Sequence, residues 1–126
     1  MADPTLTSGG GSAAALPLFE LALAAAQRLP ERTFHVLIGR GVAEADYARL
    51  RQSAPANARV EWARSDFPAL LASCALSISQ AGYNTLMDLM QARCRAVVVP
   101  FAAGNETEQT DRARLFERRG LLHVVP

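Results

Sequence analysis

The chain has 126 residues, 50% of them hydrophobic, with a net charge of +1 and only two cysteines and two histidines. That length suits one domain, residues 1–126, with enough apolar side chains for a real core. Basic residues spread along the chain leave no footprint for nucleic acid, and no apolar run approaches the ~20 residues that cross a bilayer. Met1 to Gly11 is polar and small, without the basic start and apolar centre of a secretory signal, so a cytoplasmic protein is expected. Cys74 and Cys94 lack metal-ligand spacing and have only His35 and His123 as further soft ligands, which argues for two reduced thiols and no zinc site.

In chain order, Thr5 to Thr7 is a short extended entry to the turn Gly9-Gly10-Gly11-Ser12. From Ala13 to Leu29, Leu16, Phe19, Leu23 and Ala26 recur at helical spacing, with Pro17 tolerated in the first turns. Phe34 to Ile38 predicts a buried strand stopped by Gly39-Arg40-Gly41. A polar helix over Glu44 to Gln52 and a loop through Pro55 and Asn57 follow. Val60 to Trp62 predicts a strand, and Ser65 or Asp66 is placed to cap a helix with Phe67, Leu70 and Leu71 inward. Leu76 to Ser79 is a strand, Thr85 to Ala92 a helix, and Ala96 to Val99 a buried strand closed by Pro100. A helix from Glu106 to Arg119, with Gly120 suited to its C′ position, precedes a last strand over Leu122 to Val125. The alternation predicts an α/β fold: a Rossmann-like, mostly parallel sheet of six strands with helices on both faces.

In such a sheet, ligands lie outside the carboxyl ends of the strands, and three segments there carry unusual chemistry. At Ser8, Gly9, Gly10, Gly11 and Ser12, glycines allow close backbone approach and the following helix offers free N–H groups; such a turn equally serves tight strand-to-helix packing. It is not Gly-x-Gly-x-x-Gly, which removes the main support for a nicotinamide enzyme. At Ser79 to Thr85, Gly82 permits the turn and the N–H groups of Tyr83, Asn84 and Thr85 suit a diphosphate. Asp88, one helical turn on, suits a ribose diol, or closes the helix as a Thr85-x-x-Asp88 capping box. At Gly104 to Gln109, Glu106 and Glu108 complement a helix dipole, while Gln109 suits sugar hydroxyls or plain solvent. His35 and His123 are expected to be satisfied core or edge histidines. Trp62 is expected to pack half-buried, at a strand end where base stacking stays open. Neither a hydrolase elbow nor a P-loop is present.

The run Ser-x-Ala-Gly-x-x-Thr with an acid three residues on, Val-Val-Val-Pro-Phe, and Glu-Gln-x-x-Arg-Ala resembles the C-terminal domain of family 28 glycosyltransferases, the MurG-like group, and most nearly a predicted bacterial branch of it. The resemblance implies the C-terminal half of a GT-B fold that binds a nucleotide diphosphate-sugar, usually a UDP-sugar, without a required metal or other cofactor. It implies that Arg64 to Phe67 lies by the base and Gly82 to Thr85 receives the diphosphate. Asp88 stands where the family commonly has a glutamate on the ribose, and Glu108 and Gln109 match a pair contacting the donor sugar. Gly9 to Gly11 faces the cleft between domains. Two departures stand out: Asp88 is one methylene short, and Arg93-Cys94-Arg95 replaces the commoner Gly-x-Pro turn. The acceptor domain, which precedes this segment in the family and is where a catalytic base is expected, is absent, so no catalytic residue is assigned and the isolated domain is expected to be inactive. The expected function is transfer of a hexose-type sugar to an acceptor hydroxyl. Alternatives are a degenerate nucleotide-binding module and half of a sugar-nucleotide epimerase. Apolar surface at the lost domain interface makes a homodimer conceivable.

Overall fold

A computed structural model describes residues 4–9, 15–80, 83–100 and 108–125, with the side chains at 83, 84 and 108 outside that description. In chain order the elements are β1 (Thr5–Ser8), α1 (Leu16–Arg28), β2 (Phe34–Ile38), α2 (Glu44–Ser53), β3 (Ala58–Trp62), α3 (Phe67–Ser73), β4 (Leu76–Ser79), α4 (Tyr83–Ala92), β5 (Ala96–Val98), α5 (Glu108–Arg118) and β6 (His123–Val124). The six strands form one sheet in the order β3-β2-β1-β4-β5-β6, and every pairing is parallel. This is the doubly wound α/β architecture that the alternation predicts.

The two-residue period of the strands sorts side chains onto two faces. Val36, Ile38 and Val60 point one way and pack with Phe19, Ala22 and Leu23 of α1 and Leu50 of α2. Leu6, Leu37, Ala96, Val98 and Val124 point the other way and pack with Leu71 of α3, Leu86 and Leu89 of α4, and Ala113 of α5. Asn57, placed in a loop by sequence, closes the end of α1: its Nδ2 donates to the carbonyls of Ala26, Leu29 and Arg32 at 2.9, 3.1 and 2.8 Å. At the end of α5, Gly120 adopts φ 73°. The N–H of Leu121 then bonds Phe116 O and that of Gly120 bonds Glu117 O, the paired bonds of a Schellman cap.

Several boundaries move. Strand β3 begins at Ala58 rather than Val60, because Ala58 and Arg59 pair with Phe34 and His35. Helix α1 starts at Leu16, with Pro17 near its first position as expected; Ala13 and Ala14 lie outside the described residues. Asp66 occupies the N-cap of α3 but makes no side-chain cap bond, since its carboxylate is engaged by Arg64. Helix α4 starts at Tyr83, so Thr85 is inside the first turn and the capping-box expectation fails. The turn at Arg93 bends through the left-handed region at φ 56°.

These two unusual backbone sites predict opposite outcomes. A Cβ on Gly9 would lie 2.9 Å from both Ala15 Cβ and Phe19 Cζ, so Gly9→Ala is expected to cost about 1–3 kcal/mol by overpacking. Arg93→Gly relieves a strained φ and is expected to be neutral to stabilising by up to about 1 kcal/mol. Urea denaturation of both variants checks the pair; a tolerated Gly9→Ala would show that the contact yields easily.

Candidate functional site

At the carboxyl edge of the sheet lies a cleft of about 250 Å3, lined by Ser8, Gly9, Leu37, Ala63, Arg64, Phe67 and Thr85. These residues come from the ends of β1 and β2, the turn after β3, and the first turns of α3 and α4. Strand order reverses between β1 and β4, so the chain leaves β1 toward one face and β4 toward the other, which opens a crevice there. The cleft has two chemistries. Leu37, Ala63 and Phe67 offer an apolar wall for a flat ring, whereas α4 presents the positive end of a ten-residue helix, whose first-turn N–H groups helical geometry leaves without partners inside the helix and which attracts an anion.

The structure brings Gly9, Arg64, Phe67 and Thr85 together in this cleft. Tyr83 and Asn84 begin α4 beside it. Gly10, Gly11, Ser12, Gly82 and Glu106 lie outside the described residues, as does the side chain of Glu108. Gln109 is half-buried in the first turn of α5, at the same edge of the sheet. Asp88 is not in the cleft. It is half-buried and opens on a groove between α3 and α4, with Pro68, Ala72, Gln91 and Ala92. Ser8, which opens the glycine-rich segment singled out in the sequence, lines the cleft as well, whereas Leu37 and Ala63 carried no signal in the sequence.

The comparisons decide the family. The model for "Glycosyltransferase family 28 C-terminal domain" matches residues 5–126. The chain belongs to that family. Among solved structures it is similar to MurG of Acinetobacter baumannii, with TM-score 0.76 and 21% identity over 99% of this chain and 36% of that one. It is also similar to the spinosyn rhamnosyltransferase SpnG complexed with spinosyn aglycone, with TM-score 0.73 and 23% identity over 99% and 32%. A third is the glycosyltransferase SnogD of Streptomyces nogalater, with TM-score 0.68 and 23% identity over 98% and 31%. The chain therefore spans about a third of the length of these enzymes. A phenylacrylic acid decarboxylase from Aquifex aeolicus shares the fold at TM-score 0.58 and 11% identity, over 98% of this chain and 81% of that one, a reminder that fold alone does not name chemistry.

In this family 28 domain, Arg64 at the edge of the cleft is the centre of an ion-pair network. Arg64 donates from Nε and Nη2 to the two carboxylate oxygens of Asp66 at 2.9 and 2.8 Å, and from Nη1 to Glu61 Oε1 at 2.9 Å. Glu61 also meets His35 Nε2 at 3.0 Å and Arg59 at 2.9 Å. His35 is thus the buried, satisfied histidine expected, whereas His123 is exposed on the edge strand β6. Trp62 stacks on Tyr47, ring centroids 4.1 Å apart, so one face of its indole is already taken. Burial pushes the Cys74 thiol up to about 11, with the neighbouring Cys94 adding to it; this keeps Cys74 a protonated, weak nucleophile.

Partial burial opposes the Glu61 charge, but hydrogen bonds from Arg64 and His35 outweigh it and hold its carboxyl below the ordinary glutamate value. Arg64 likewise holds Asp66 below its usual range. Groups with depressed folded values contribute stability above their unfolded values of 4.5 and 3.8, and lose it as pH falls through the lower folded ones. Thermal melting is therefore expected to show the stability contributed by these two carboxylates in full above about pH 5 and declining below it. Glu61→Gln should make that acid-side decline shallower; an unchanged slope would show that the network carries no pH-dependent stability.

Proposed function

We propose that this chain is the donor-binding domain of a glycosyltransferase, which transfers a hexose-type sugar from a UDP-sugar to an acceptor hydroxyl together with an acceptor domain preceding it. The observation that supports this reading is the junction of an apolar slot with the N-terminus of α4 at the strand-order reversal, in a chain of this family. The base lies against Ala63 to Phe67, and the diphosphate lies over Gly82 to Thr85, with Gly9 to Ser12 forming the facing loop. A ribose projecting between α3 and α4 meets Asp88, and the sugar is directed toward Glu108 and Gln109. A related structure, SpnG, is described as complexed with thymidine diphosphate, a ligand of the same chemical class.

In the reaction, the acceptor oxygen forms a bond to the anomeric carbon while the bond from that carbon to the diphosphate oxygen breaks. The acceptor proton passes to a base in the acceptor domain, and the nucleoside diphosphate departs with the bonding pair. This domain contributes the field of α4, which stabilises charge growing on the leaving group. One half of a cleft holds donor without acceptor, so the domain alone gives no turnover. The enzyme acts in the cytoplasm, where nucleotide sugars are its donors.

Calorimetric titration of the chain with UDP, TDP, GDP and ADP tests the reading. UDP is expected to bind in preference to the others, and Asp88→Ala to weaken it by roughly 1–3 kcal/mol, as for a lost buried polar contact. Failure of a folded chain to bind any of the four would favour a degenerate module instead.

A further inference from the structure

We infer that Glu61 is a positioning residue for base recognition: through Arg64 it fixes the segment Ala63 to Phe67 that forms the apolar wall of the cleft. The inference rests on the donor-site reading above and adds to it a device that sets how well the base is held.

The segment needs such a device. Arg64, Ser65 and Asp66 are all exposed, so apolar packing holds only the far end of the segment, where Phe67 rests against the core. Polar links hold the rest. The N–H of Ala63 donates to Ile38 O at 2.8 Å, and Arg40 donates to Ala63 O at 3.2 Å. The Arg64 guanidinium then spans the turn, joining Glu61 inside β3 to Asp66 at the start of α3. Three of its five N–H donors, one on each nitrogen, go to these carboxylates, so the side chain acts as a brace across the turn. Glu61 is itself rooted in the sheet, because its Oε1 also meets His35 Nε2, and His35 is only 7% exposed on β2.

The cost of this arrangement is visible. Asp66 stands at the N-cap of α3, where its carboxylate would ordinarily bond the first-turn amides, yet it makes no such bond. Local helix stability is given up for the brace. Ion pairs this exposed add little to global stability. Their effect falls on the wall: a turn already ordered before binding spares the ligand the entropy of ordering it.

The two ends of a nucleotide separate this role from general damage. The diphosphate lies over α4, which is held by the core through Leu86 and Leu89 rather than by the brace. Titration of the chain with UDP, GDP and inorganic pyrophosphate is therefore done for wild type, Glu61→Gln and Asp66→Asn. Glu20→Gln, a surface partner of Arg49, serves as the chemical control. Both brace variants are expected to weaken UDP roughly three- to tenfold, the cost of re-ordering one or two side chains, and to narrow the preference for UDP over GDP. Pyrophosphate affinity should stay unchanged, and Glu20→Gln should behave as wild type. If wild type binds UDP and both variants bind it equally well, or lose UDP and pyrophosphate alike, the positioning role is overturned while the donor site stands. If folded wild type binds no nucleotide, the donor-site reading itself fails. Should Glu61→Gln not fold, Asp66→Asn, altered at the exposed end, decides the matter.

Discussion

A sheet in which every strand is parallel can be connected only by crossovers, and those crossovers share one hand. With β1 in the middle of the order β3-β2-β1-β4-β5-β6, the chain builds outward on one side, returns, and builds outward on the other. The shared hand then sends α1 and α2 to one face and α3, α4 and α5 to the opposite one, as the two clusters of buried side chains record. At the β1–β4 boundary the outgoing segments part company, and the crevice between them is the cleft. Gly9 follows from the same geometry. Helix α1 returns over β1 so closely that Ala15 and Phe19 fill the space a Cβ would take. Packing alone therefore demands the glycine that also lines the cleft.

The two walls of that cleft are held by different forces. Helix α4 is set by burial of Leu86 and Leu89, both 0% exposed, a non-directional attraction that salt does not screen. The turn from Ala63 to Phe67 is set by charges among Glu61, Arg64 and Asp66, which water and salt weaken. The α4 side of the cleft is thus built into the core, while the turn side is held by partly exposed charges. Substitutions in the turn can therefore reshape one wall of the cleft without disturbing the fold.

Much of this was legible in the sequence because it is local. The apolar runs Phe34 to Ile38 and Ala96 to Val99, the helical spacing of Leu16, Phe19, Leu23 and Ala26, and Gly120 after Arg119 all carry their structural meaning within a few residues. What was not legible depends on distant partners. Ala58 and Arg59 join β3 only because Phe34 and His35 lie alongside. The His35–Glu61 contact joins residues 26 apart, and the stacking of Tyr47 on Trp62 is equally invisible to periodicity. Asp66 looked like a cap because Arg64, two residues away, was not recognised as a competitor for its carboxylate. The Thr85-x-x-Asp88 pattern misled for another reason: the helix starts at Tyr83, and a two-residue shift removes a cap. Of the candidate site, the positions at strand ends could be foreseen, whereas the opening of Asp88 on the groove between α3 and α4 depends on how those helices pack.

Strand β4 inverts the usual pattern, and the inversion has a consequence for the site. Its polar residues Ser77 and Ser79 are buried, while Leu76 and Ile78 are only half-buried. The apolar pair points to the face of α1 and α2, whose cluster centres on β2 and β3 rather than β4. The serines point to the face of α4, level with Leu6 and Ser8 in β1 and Ala96 and Val98 in β5. Their hydroxyls have no hydrogen-bond partner among the described residues, a defect of the order of 1–3 kcal/mol for each group left unpaired. Small side chains do, however, leave a trough in the sheet. Leucines at those two positions would fill it and lift α4 away from the strands, since close-packed interiors do not absorb extra methylenes freely. With Ser77, Ser79 and Ala96 beneath it, α4 settles low, so that Thr85 in its first turn shares one cleft with Ser8 and Gly9. The height of the helix above the sheet, set by two buried serines, decides whether its N-terminus can meet an anion held at the end of β1.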